Sequence, residues 1–107
     1  MRNREIARRM LVDAFADYWY WQKLWEKDIY PNYVDVMYGT YDPDKLRDMV
    51  FFGEVEGRRR FADGQEDAFL RMGIIDEGET LDIRAEGVKE ANRMVVQWLR
   101  SYEVKQA

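Results

Sequence analysis

The chain has no cysteine and no histidine, a single serine and two prolines in 107 residues. Without cysteine there are no disulfides, thiolate metal sites or thiol nucleophiles, and a reducing cytoplasmic setting is expected. Without histidine the side chain most used for proton transfer near neutral pH, and the commonest transition-metal ligand, is missing. The one serine, Ser101, lies between Arg100 and Tyr102 near the C-terminus, far from any glycine-rich elbow that would present it as a nucleophile. Triad hydrolysis is excluded. No long apolar run occurs either: after Met1-Arg2-Asn3-Arg4-Glu5 the apolar residues are broken by Arg8, Arg9, Asp13 and Asp17, so neither a signal peptide nor a membrane span is expected. Basic charge is not in excess. Seventeen basic against 21 acidic residues give a net charge of −4, which opposes unspecific attraction to nucleic acid and leaves DNA binding to a local basic patch.

What is abundant is apolar and aromatic: 47% hydrophobic residues, with four Trp, seven Tyr and five Phe. That is enough surface for one core, and residues 1–107 read as a single domain. Leu11, Ala14, Tyr18, Trp21 and Trp25 recur at steps of three and four, predicting a long first helix over 3–28. Tyr18-Trp19-Tyr20-Trp21 puts rings on all its sides, more than one core-facing stripe requires, so the outer rings are covered either by residues 29–41 folding back or by a subunit interface. Tyr30-Pro31-Asn32 stops this helix, and residues 33–38 are rich in strand formers. Asp42-Pro43 is a helix start, with an apolar face at Leu46, Met49, Val50 and Phe52 that ends at Gly53. An acidic link over 53–57 follows, and Asp63 to Glu66 has the spacing of a capping box opening another helix that Gly73 ends. Residues 74–83 read as a β-hairpin around a turn at Asp76-Glu77-Gly78-Glu79. Val88, Ala91, Val95, Trp98, Leu99 and Tyr102 then mark an amphipathic C-terminal helix over 85–104, with Gly87 and Ala91 keeping it slim where it crosses the core.

The expected fold class is thus mainly α with a small β-hairpin. Phe69-Leu70-Arg71-Met72-Gly73-Ile74-Ile75, the turn, and Ile83-Arg84-Ala85-Glu86-Gly87-Val88 resemble the stretch of prokaryotic winged helix-turn-helix regulators in which the recognition helix ends at a glycine, a wing follows and a last helix opens. The resemblance spans roughly residues 42–95. It implies a DNA-binding transcriptional regulator, with Arg58, Arg59 and Arg60 in the turn before the recognition helix or in its first turn, and Gln65 and Arg71 on its outward side, as contacts to double-stranded DNA. Arg84 stands where such families have a capping Thr or Ser, and Glu77 and Glu79 make the wing tip acidic, which phosphate would repel.

A second reading is therefore a non-catalytic protein-interaction adaptor on the same scaffold, meeting a protein partner through its aromatic first helix, of the kind small phage or mobile-element proteins supply. In that case Arg58, Arg59 and Arg60 simply pair with Glu54, Glu56, Asp63 and Glu66 on a solvated face. Arg2, Arg4, Arg8 and Arg9 form a further basic cluster, either a DNA-backbone arm or an ordinary polar helix start. The carboxylate pairs Asp13 with Asp17 and Asp44 with Asp48 lack ligand-loop spacing, so no metal, cofactor or catalytic residue is expected. Surplus apolar surface on both terminal helices predicts a homodimer seamed by Trp19, Trp21, Val95, Trp98 and Tyr102.

Overall fold

The computed structural model describes residues 2–26 and 43–106, with side chains described over 3–25 and 52–101. The expected strand at 33–38, the fold-back of 29–41, the Asp42 cap and the side chains of Asp44, Asp48 and Tyr102 lie outside these residues. Three helices run in order: α1 (Arg2–Glu26), α2 (Pro43–Arg71) and α3 (Thr80–Gln106), with a single 3-10 turn at Glu77–Glu79 between the last two. Among the described residues there is no strand. The winged helix is therefore corrected, since a wing needs a β-hairpin and residues 74–83 do not form one.

The reason is visible at Thr80-Leu81-Asp82-Ile83. Alternation would place Leu81 and Ile83 on one face of a strand, yet Leu81 is 77% exposed while Ile83 is fully buried, as helical geometry requires of residues two apart. Ile83 opens a four-residue series, Ile83, Gly87, Ala91 and Val95, all buried. The last helix therefore begins at Thr80, five residues earlier than its apolar seam suggests. Gly73 does stop a helix: its φ is +70°, its N–H donates to Leu70 O, and the Ile74 N–H donates to Phe69 O. This is a Schellman close in the left-handed conformation that glycine adopts freely. The link to α3 is then fixed by Glu79, whose N–H donates to Asp76 O and whose Oε1 accepts from the Asp76 N–H at 3.2 Å.

The link expected at 53–57 is also corrected: α2 runs unbroken through Gly53, Gly57 and Gly64. Each interior glycine costs about 1 kcal/mol relative to alanine. Against that, Val55 and Ala62 are buried on one side of α2, and Glu54–Arg58 and Asp67–Arg71 pair one turn apart along it. Asp63 and Glu66 therefore lie mid-helix and form no capping box. Glu66 is instead buried beneath Arg84.

α1 is the central helix and packs on both others, which explains why its apolar arc is so wide: Leu11, Val12, Ala14, Phe15 and Ala16 are all buried. As α1 advances from Leu11 to Leu24, the core partners move from Ala62 to Val55 on α2 and from Ile83 to Val95 on α3. Hence α2 runs antiparallel to α1, and α3 parallel to it. At the α1–α3 crossing a Cβ on Gly87 would sit 2.7 Å from Phe15 Cβ and 3.2 Å from Ala16 N. The slim α3 face expected from Gly87 and Ala91 is what lets the two backbones approach.

Candidate interaction surface

Because residues 58–60 lie mid-helix, consecutive side chains diverge by about 100°, and the three arginines do not make one patch. Arg58 turns to α1: its Nε donates to Asp17 Oδ2 at 2.8 Å, its Nη1 pairs with Glu54, and the guanidinium lies 4.5 Å from the centroid of the Trp21 ring. Arg59 pairs with Glu56 at 2.6 Å and lines a cleft of about 320 Å³ floored by Phe15, Tyr18 and Trp19 of α1. Arg60 points outward, exposed and without an ion pair among the described residues. Arg71 pairs with Asp67 at 3.0 Å. Gln65 is half-buried, its Oε1 enclosed without a hydrogen-bond partner among the described residues. The expected DNA-contact residues are therefore dispersed around α2. Their correction as a recognition-helix array follows from the helix running through the turn that was to precede it.

The described members of the N-terminal basic cluster pair with the link before α3, with α3 and with α1 itself. Arg4 pairs with Asp76 and Glu79, and Arg8 makes a two-pronged contact with Glu86, both bonds 2.7 Å. That contact holds the Glu86 carboxyl below the ordinary carboxylate range and pushes Arg8 upward, in each case chiefly through the side-chain hydrogen bond. Arg9 pairs with Asp13 at 3.2 Å. Both carboxylates of the Asp13/Asp17 pair thus meet arginine, and among the described residues no three metal-ligating side chains gather. Across the α2/α3 cleft, Arg84 grips Glu66 through Nε at 3.0 Å and Nη2 at 2.6 Å and stands 5.2 Å from the Phe15 ring centroid. The hydrogen bond to Glu66 is the main cause of the raised Arg84 pKa. Of the residues assigned to a terminal-helix seam, Val95 is 3% exposed in the core. Trp21 and Trp98 surround it, and Trp19 packs on the other core cluster.

The surface left over lies between α1 and α2. An open groove of about 570 Å³ is lined by Met10, Asp13 and Ala14 on α1 and by Gly57, Phe61 and Gln65 on α2. Phe61 is 63% exposed and Met10 46%, with Ile6 exposed one turn before Met10. Small residues keep the groove open, since a Cβ on Gly57 would meet nothing within 4 Å. The sequence reading missed Phe61 and Met10 as site residues. Met10 lies beside the apolar pattern of the first helix and Phe61 directly after the arginine run, and only the position of α1 against α2 shows which apolar residues fail to reach the core.

Among the described residues no helix is long and apolar enough to cross a membrane. No protein-family model, curated protein or solved structure matches the chain.

Proposed function

We propose that the chain is a non-catalytic protein-interaction module, the adaptor alternative of the sequence reading, and that the α1/α2 face is its contact surface. The observation that carries this is Phe61, a phenylalanine 63% exposed at the edge of an open groove beside an exposed methionine. Contiguous exposed apolar side chains of this size mark contacts with other proteins, and aromatic and methionine side chains are the types enriched at their centres. The charge pattern supports the same reading over DNA binding. Arg58, Arg59 and Arg71 each meet a carboxylate of this chain, so a phosphate backbone would have to displace those partners to be bound. The lack of histidine and cysteine supports the non-catalytic part and suits a reducing cytoplasm.

A photo-reactive residue at position 61, compared with one at exposed position 89 on α3, tests the proposal in cells. A discrete protein adduct is expected from position 61 alone. Salt-sensitive retention on double-stranded DNA that Arg60→Ala abolishes would overturn it in favour of DNA binding.

A further inference from the structure

With no cysteine in the sequence, all the sulfur of this chain is thioether, and methionine is the side chain a peroxide attacks first. Of the methionines whose side chains are described, Met94 is partly buried on α3, whereas Met10 is 46% and Met72 69% exposed. The two exposed sulfurs are differently placed. Met72 follows the last residue of α2 and is not part of the groove lining, while Met10 lines the α1/α2 groove together with Phe61, Ala14 and Gly57. An oxygen added to Met10 therefore enters the contact face itself.

We propose that Met10 is an oxidative modification site and that its sulfoxide switches the α1/α2 face off. This rests on the interaction-module reading and supplies its regulation. The step is a two-electron oxygen transfer from hydrogen peroxide. The thioether lone pair attacks one peroxide oxygen, the O–O bond breaks as the S–O bond forms, and the other oxygen leaves as water. The sulfur is oxidised and the peroxide reduced. Methionine sulfoxide reductases, drawing on a dithiol, return the side chain to thioether. The product is a polar hydrogen-bond acceptor where a soft apolar side chain stood. Around it the groove offers chiefly other acceptors and engaged donors: Asp13 and Asp17 are carboxylates, and Arg58 already gives its Nε to Asp17 and its Nη1 to Glu54. Covering the sulfoxide with a partner strips its water without replacing it, which weakens the contact by roughly ten- to a hundredfold.

Peroxide treatment of the purified full chain, followed by peptide mass mapping, tests the first half. Met10 and Met72 are expected to convert at comparable rates, each at least about fivefold faster than Met94, because oxidation follows exposure, and helical circular dichroism is unchanged. The second half is read by cross-linking. The chain with a photo-reactive residue at position 61 is oxidised until Met10 has converted, freed of peroxide and added at limiting concentration to an extract of the cells in which the adduct forms. The oxidised chain is expected to give roughly ten- to a hundredfold less adduct than the untreated one. Met10→Leu keeps the apolar volume and cannot be oxidised, so it holds its yield through the same treatment, whereas Met72→Leu loses it. Met10 converting no faster than Met94, an oxidised chain that cross-links undiminished, or protection by Met72→Leu in place of Met10→Leu overturns the inference and leaves the interaction reading standing. If the untreated chain gives no adduct from position 61, the interaction reading fails and the switch fails with it.

Discussion

Replacing glycine by alanine at three positions in these helices is expected to move stability in opposite directions. At Gly53 and Gly64 an added Cβ meets nothing within 4 Å, so the substitution only removes the backbone freedom of the unfolded chain and the low helix propensity of glycine. Each gains about 1 kcal/mol. The two sites are three turns apart and share no contacts, so the gains add to about 2 kcal/mol. For a chain of this size that raises Tm by roughly 8–16 °C. At Gly87 the same methyl stands 2.7 Å from Phe15 Cβ, 3.3 Å from Phe15 C and 3.2 Å from Ala16 N, where carbon pairs normally sit at about 3.5–4.0 Å. Two of those three atoms are backbone, so α3 as a whole must retreat from α1 by nearly 1 Å. Overpacking of this kind costs about 1–3 kcal/mol, enough to cancel the propensity gain of about 1 kcal/mol and leave a net loss of up to about 2 kcal/mol. Thermal and urea unfolding followed by circular dichroism measure all three variants. If Gly87→Ala stabilises as Gly64→Ala does, α1 and α3 do not cross backbone to backbone at Phe15. If Gly53→Ala destabilises, α2 is not continuous there.

Removing Arg84 strands Glu66, which is 8% exposed. Arg84→Met is expected to cost about 2 kcal/mol, less than a fully buried pair because Arg84 is half exposed, and Glu66→Leu with Arg84→Met is expected to recover most of it; urea midpoints check both. Arg58→Ala should cost about 1–2 kcal/mol through its bond to Asp17 and its seat on Trp21. Its neighbour Arg60→Ala should shift the monomer's stability by under about 0.5 kcal/mol, and equal losses at the two positions would refute their placement on opposite sides of α2. The depressed Glu86 pKa makes the Arg8–Glu86 pair stabilising above the ordinary carboxylate value of 4.5, and this is lost as pH falls through the lower folded value. Half exposure keeps the effect small, so wild type should slightly exceed Glu86→Gln in Tm at neutral pH and converge with it in acid.

The helix start at Pro43, the stop at Gly73, the small face at Gly87 and Ala91 and the apolar series through Val95 were all legible in the sequence, because each depends on local backbone chemistry or on a single helical period. The break expected at Gly53–Gly57 was not, since two local penalties of about 1 kcal/mol are outweighed by the burial of Val55 and Ala62, which the sequence does not display. The hairpin expectation rested on two short strands, Ile74-Ile75 and the four alternating residues at 80–83, around the glycine-containing turn at 76–79. The competing four-residue step from Ile83 to Val95 extends three times as far and is the pattern the chain obeys. The surface was the least legible part. Asp17 is 41 residues from Arg58, Glu86 is 78 from Arg8, and the exposure of Phe61 depends on which side of α2 turns toward α1.

The α1/α2 face as the chain's contact surface is tested most directly by photo-reactive residues placed in turn at the exposed positions Met10 and Phe61 on that face and at the exposed positions Leu81 and Lys89 on α3. Discrete protein adducts are expected from positions 10 and 61 and none from 81 and 89. Adducts from the α3 positions with none from 10 and 61 would contradict the account.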